Sequence, residues 1–213
     1  MSQRNRFFAF LGVLLIAATI YYFLSTDSSS DLVLIGTIDS NQIVVSPKIA
    51  GRLERLAVNE GDEVIGQERR SEVHRLGLQH RAVHVLIFNG KSEVFLQKRS
   101  MTKDTFPGAW DSSASGHLDT GESYDACAVR ELREELGLVL SAPPQRLFKL
   151  AACLETGQEH VWVYRHQAEG PFQLNADEIE AGGWFAPAAV MRWMQQEPEA
   201  FASALRKIWE ALF

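Results

Sequence analysis

The chain is poor in cysteine: Cys127 and Cys153 are its only two in 213 residues. That is too few for the disulfide framework of a small secreted domain, and both read as free, buried thiols. It is also short of positive charge, with 21 Lys and Arg against 27 Asp and Glu and a formal net charge of −6. No basic patch, zinc-ligand spacing or nucleic-acid motif is present, which argues against a nucleic-acid partner. Internal repeats and heptad runs are missing, so repeat arrays and coiled coils are excluded. The length suits one ordinary domain with an extension.

What is present is concentrated between Gly116 and Leu138, which read GHLDTGESYDACAVRELREELGL. This is the pattern G-x5-E-x7-R-E-U-x-E-E-x-G-U, where U is aliphatic. Ser123 is suited to cap a helix and Gly137 to end it in the left-handed conformation. Between them, about 100° per residue places Ala126, Val129, Leu132 and Leu136 on one side and Glu131, Glu134 and Glu135 on the other. Like charges on one helical face repel by a few tenths of a kcal/mol per pair. A divalent cation would relieve that repulsion, and carboxylate oxygens suit Mg²⁺ or Mn²⁺. Arg130 can brace the glutamates through charge-assisted hydrogen bonds. An ordinary solvated acidic face is the plain alternative; the placement of Gly116, Glu122 and Arg130 at set spacings argues against it.

This segment closely resembles the signature of the Nudix hydrolase family. The resemblance implies an α/β fold, an α/β/α sandwich around a mixed sheet. It also implies cleavage of a diphosphate joined to another moiety X, as in a nucleoside-diphosphate-X, with Mg²⁺ or Mn²⁺ as cofactor. Carried onto this chain, it makes Glu131 and Glu135 the principal metal ligands and Glu134 an assistant, with Glu122 and the Gly116 carbonyl completing the site. Glu134, Arg130 and Glu131 are the expected catalytic residues. The general base is one of the box glutamates or a residue outside the box, and X is not encoded in it.

The run HRAVHVLIFNGKSEVFLQKRSMTKDTFPGAWDSSASGH, His80–His117, resembles the branch containing type I isopentenyl diphosphate isomerase. There a cysteine two residues before the histidine of W-x4-C-G-H moves a proton at an allylic carbon. Ser115 stands at that position here, and a hydroxyl is too weak an acid for the role. The same resemblance suggests a second metal site at His74, His80, His117 and Glu159, although His74 and His80 are one residue closer than the pattern asks. Ordinary hydrogen-bonded histidines are the alternative. Lys98, Arg99 and Lys103 sit where a diphosphate could be gripped, or are solvated. Further on, alternation predicts a strand around His160–Arg165, and a helix is expected after Pro187. A last helix should have Phe201, Leu205, Ile208 and Leu212 on one face. Trp184, Trp193 and Trp209 read as core or pocket wall.

The front of the chain differs. Phe7–Leu24 carries no charge, follows Arg4 and Arg6, and approaches the minimum length for a membrane span. It predicts an uncleaved transmembrane signal anchor rather than a cleaved signal peptide, and a single-pass membrane localisation. The charge rule puts the catalytic domain outside, whereas the cytosolic supply of most such substrates favours the cytoplasm. After the polar linker Ser25–Asp31, alternating apolar residues are broken by Gly36, Pro47, Gly51 and Gly61. This stretch resembles the first half of the lipoyl-like β-domain of membrane-fusion (HlyD-type) adaptors. It lacks a lysine at a hairpin tip for biotin or lipoate, and Lys48 reads as a solvated loop residue. The adaptor pattern and the isomerase-like pattern overlap at Val58–Gln67. The expected organisation is residues 1–31 for stub, anchor and linker, 32–57 for an adaptor-like β segment, and 58–213 for the catalytic domain. A transporter partner, with the chain acting as an adaptor fragment of a secretion or efflux system, is the alternative to a tethered hydrolase acting on a small-molecule diphosphate.

Overall fold

The computed structural model describes residues 54–213. The anchor at 7–24, the linker and most of the adaptor-like β segment lie outside these residues. No helix among the described residues is long and apolar enough to cross a membrane. The first described element, β1 (Glu54–Val58), runs across the expected junction at 57/58 and pairs antiparallel with β2 (Val64–Arg69) in a two-stranded hairpin. A short helix, α1 (Arg70–Leu76), follows and ends on Gly77 in the left-handed conformation.

The main sheet is built on β3 (His80–Phe88), which is buried at all but one position. One edge of β3 pairs parallel with β8 (Glu159–Gln167), from His80 opposite Glu159 to Phe88 opposite Gln167. Its other edge is divided between β6 (Ala114–His117) and the start of β4 (Val94–Arg99), both antiparallel. β4 also pairs with β5 (Trp110–Asp111) and β9 (Ile179–Phe185), and β7 (Gln145–Leu150) pairs with β8. One parallel pair among antiparallel ones makes the sheet mixed, as expected.

Helices cover both faces. α2 (Tyr124–Leu136) packs Ala128, Leu132 and Leu136 against Val83, Val85 and Ile87 of β3. The intervening Ala82, Leu86 and Phe88 face α3 (Pro187–Gln196) and α4 (Ser203–Leu212), through Val190, Leu205, Ile208 and Trp209. A strand buried on both faces reads as a near-continuous apolar run, which is how β3 reads. α3 begins with Pro187 at its first turn, where a missing N–H costs nothing. Leu205 and Ile208 are buried on one face of α4 as their spacing predicted, whereas Phe201, expected on the same helix, is buried with them from the extended stretch just before it. Trp184 and Trp193 are partly buried against the two clusters, and Trp209 is buried.

One expectation about α2 needs correcting. Ala126 is exposed and Val129 half-buried, whereas Glu131 and Glu135 are buried with Tyr124, Cys127, Ala128, Leu132 and Leu136. The helix is rotated so that two of its glutamates enter the protein beside the apolar stripe instead of facing away from it. Cys127 is buried and Cys153 half-buried, and both are free. Because α2 presents those glutamates, its seating matters. Leu132 is fully buried, and Leu132→Ala should cost about 2–5 kcal/mol in equilibrium denaturation.

Candidate active site

The ends of α2 are fixed as the sequence suggested. Ser123 Oγ accepts a hydrogen bond from the Ala126 N–H at 3.2 Å. Gly137 closes the helix at φ +67° and donates its N–H to Arg133. β6 lies across the helix, and Gly116 is the point of closest approach. A Cβ placed on Gly116 would lie 1.9 Å from Oε1 of Glu131, so no larger residue fits without moving that carboxylate. The same strand holds the second glutamate: the Ser115 N–H donates to Glu135 Oε2 at 3.1 Å, and Gln97 Nε2 donates to it at 3.0 Å.

Arg130 ties the remaining acids together. Its Nε and Nη2 donate to the two oxygens of Glu122, each at 2.9 Å. Nη1 donates to Glu131 at 2.7 Å and to Glu134 at 3.1 Å, while Nη2 also reaches the His117 carbonyl at 3.0 Å. Glu122 in turn accepts from the Asp119 N–H at 3.0 Å, which folds the loop back on the helix. The structure therefore brings together Gly116, Glu122, Arg130, Glu131, Glu134 and Glu135. Glu134 is the outlier in exposure, 47% against 11% for Glu131 and 13% for Glu122.

Burial dominates the electrostatics. It pushes the carboxyls of Glu131 and Glu135 well above the usual carboxylate range; the Glu131 charge raises Glu135 further, and Glu134 and Glu122 raise Glu131. Arg130 partly offsets this at Glu131. Glu135 has no such arginine; the Ser115 N–H, the Lys103 charge and Gln97 oppose the shift. A pair of buried carboxylates with one hydrogen-bonded cation is short of positive charge, which a divalent ion would supply. This donor set fits hard Mg²⁺ or Mn²⁺.

The expected diphosphate-gripping residues are all engaged. Lys98 pairs with Glu180 of β9 at 3.1 Å, and Arg99 with Asp111 of β5 at 3.1 Å. Lys103 pairs with Glu178. Of the three, Lys103 is the one whose charge acts on Glu135. Gln97 and the Ser115 amide were not foreseen. A lone amide side chain in the apolar run VFLQ was the available signal for Gln97, which is buried at 2% exposure.

The histidines meet on the opposite sheet face. Val83, facing Gly116, points toward α2, so His80, Glu159 and His117 take the other side. Ligand atoms of His74, His80 and His117 all lie within 4.8 Å of one another. Glu159 Oε1 is 2.7 Å from His117 Nε2 and 3.7 Å from His80 Nε2. Burial alone would raise the Glu159 carboxyl, but His117 and His80 hold it below the usual range. The left-handed turn at Gly77 lets His74 reach His80 despite the short spacing. His80 Nδ1 lies 3.0 Å from the Leu78 carbonyl, and buried Nε2 has no hydrogen-bond partner. The next residue on this face of β8 is Val161, so the group offers three imidazoles and one carboxylate.

The NUDIX domain model matches residues 78–208, and the chain belongs to the Nudix hydrolase family. It is 36% identical over 135 residues to an uncharacterized Nudix hydrolase of Streptomyces coelicolor, covering 62% of this chain and 73% of that one. It is 30% identical over 160 residues to isopentenyl-diphosphate Delta-isomerase 2 of Photorhabdus laumondii, covering 73% of this chain and 89% of that one. Among solved structures, the Deinococcus radiodurans protein DR0079 is similar with a TM-score of 0.61 at 28% identity, covering 67% of this chain and 89% of that one.

The buried carboxylates give a pH prediction with a definite sign. A raised folded-state pKa stabilises the fold below the unfolded value and loses that contribution as pH climbs through the folded value. In the absence of divalent metal, the midpoint of thermal unfolding should fall from about pH 5.5 to about pH 8.5. Glu135→Gln, which keeps an acceptor oxygen for Gln97 and Ser115, should flatten that fall, and Mg²⁺ should reverse it in the parent chain. Scanning calorimetry across the range checks all three.

Proposed function

We propose that the protein is a divalent-metal-dependent hydrolase that splits the diphosphate of a nucleoside-diphosphate-X or related small molecule. The observation that carries this reading is the burial of Glu131 against Gly116 and of Glu135 against Ser115 and Gln97, with Arg130 joining Glu131 to Glu122 and Glu134. Glu131 and Glu135 would hold Mg²⁺ or Mn²⁺, helped by Glu134, Glu122 and the Gly116 carbonyl. The bound ion supplies neutralising charge to the phosphate oxygens at the bond being broken.

The chain's own residues do the rest. Arg130 fixes the acids in one arrangement and does not itself exchange protons near neutrality. Glu134 is the box glutamate that solvent reaches most readily, and its carboxylate is the candidate to accept a proton from the attacking water. Lys103, beside Glu178 and acting on Glu135, would face an incoming diphosphate most directly; Lys98 and Arg99 would contribute by exchanging their acidic partners for substrate.

His74, His80, His117 and Glu159 would form a second metal site. The bare Nε2 of His80, with Nδ1 turned to a backbone carbonyl, is the state in which imidazole ligates a metal. Three imidazoles and a carboxylate suit zinc or another first-row transition ion better than magnesium. The run Phe7–Leu24 would tether the enzyme to a membrane, in keeping with its apolar length. A transporter partner for the adaptor-like segment remains the alternative role for the front of the chain.

The isomerase reading is disfavoured by chemistry. Ser115 stands where a thiol is required, and a hydroxyl neither gives nor takes a proton readily at neutral pH. Incubation with isopentenyl diphosphate in deuterated water should leave the substrate unlabelled.

Two variants test the hydrolase reading on a panel of nucleoside diphosphate derivatives with Mg²⁺. Glu135→Gln should abolish turnover in a folded protein. Glu134→Gln should lower kcat by about 10²–10⁴-fold with little change in KM. Undiminished turnover in Glu135→Gln would remove the assignment.

A further inference from the structure

The β1–β2 hairpin and α1 form a two-stranded sheet and a short helix of their own, outside the main sheet. Their attachment to the body is specific. The tip is shaped by Asn59, whose Oδ1 accepts the N–H groups of Gly61 and Glu63 at 2.9 and 3.0 Å. That turn sets Asp62 in the left-handed region, φ +61°, a conformation tolerated by Asp when local bonds hold it. Asp62 then enters the body. Its carboxylate accepts from Arg81 Nε at 2.6 Å, from the Tyr124 hydroxyl at 3.0 Å and from Lys149. Its carbonyl accepts from Arg81 Nη2 at 2.5 Å. Arg81 and Lys149 each lie 5.6 Å from the centre of the Tyr124 ring.

Arg81 and His80 are neighbours on β3, so their side chains leave opposite faces of the strand. Asp62 fastens the hairpin to the face that carries α2. His74, at the far end of the same segment, joins His80 and His117 on the other face. Residues 58–76 therefore hold the start of the main sheet from both sides: on one by the Asp62 ionic contact together with the Asn59 carbonyl, 3.0 Å from His160 Nε2, and on the other by the His74 imidazole. Of the four residues in the histidine site, His74 alone comes from this segment.

We propose that residues 58–76 are a two-point clasp in which Asp62 is the positioning residue for His74, so that closure of the clasp and metal binding at the histidine site reinforce each other. The inference rests on the metal reading of His74, His80, His117 and Glu159 given above. Its physical basis is reciprocal linkage: a ligand that binds only the closed arrangement stabilises it, and any contact that favours closure tightens the ligand by the same factor. Asp62 touches none of the histidines, so its effect on the metal would be transmitted through the segment.

The test uses the full-length chain and Co²⁺, whose visible absorption reports imidazole ligation; the signal lost in His117→Ala defines the site. Asp62→Asn should weaken that binding by about tenfold or more while leaving the absorption at saturation unchanged. Tyr124→Phe and Lys149→Ala, which each remove one donor to Asp62, should shift affinity in the same direction by less. Circular dichroism confirms that each variant folds. In the parent chain, Co²⁺ should slow amide exchange across residues 58–76. If the His117-dependent signal is present but Asp62→Asn binds as tightly as the parent and exchange in 58–76 is unchanged, the coupling is wrong and the metal site stands. If the parent gives no His117-dependent signal, the metal reading fails and the clasp with it.

Discussion

The constraint on which the site depends is the burial of two acidic side chains on one turn of α2, opposite a strand that leaves Glu131 room only because Gly116 has no side chain and that holds Glu135 through the Ser115 N–H. Buried carboxylates are costly unless something positive is near. Arg130 answers part of that cost at Glu131 through Nη1, which it shares with Glu134, and its other two nitrogens go to Glu122. Glu135 is left with two neutral donors. The charge imbalance is what would make a divalent ion a natural occupant, and under the proposed function that ion would in turn favour a diphosphate substrate.

The sheet explains how the rest is arranged around this point. β3 alternates, so consecutive residues serve different faces: Val83 backs α2, while His80 and Ala82 belong with the histidines or the second core. β6 does the same over four residues, giving Gly116 to the glutamates and His117 to the histidines. The two candidate metal centres are thus separated by the thickness of one sheet and share a strand.

Much of this was legible in the sequence, because the box is a local pattern. The capping of α2 by Ser123 and Gly137 and the burial of Leu205 and Ile208 on the C-terminal helix follow from spacing within short segments, and the mixed sheet follows from the family resemblance that the box carries. What was not legible depends on packing. Periodicity put the glutamates opposite the apolar stripe, since it treats every charge as solvent-facing; the contact with β6 that pulls Glu131 and Glu135 inward lies outside the helix. Gln97 was missed for the same reason. The approach of His74 to His80 required a left-handed turn at Gly77 that spacing alone does not reveal.

The direct measurement is Mn²⁺ binding to the full-length chain, followed by electron paramagnetic resonance of the free ion. Gly116→Ala changes no ligand atom, but it places a methyl group where the Glu131 carboxylate now sits. The parent chain should bind Mn²⁺ at the glutamates, and Gly116→Ala should bind it at least about tenfold more weakly. Equal binding by the two, or none by the parent, would contradict the account.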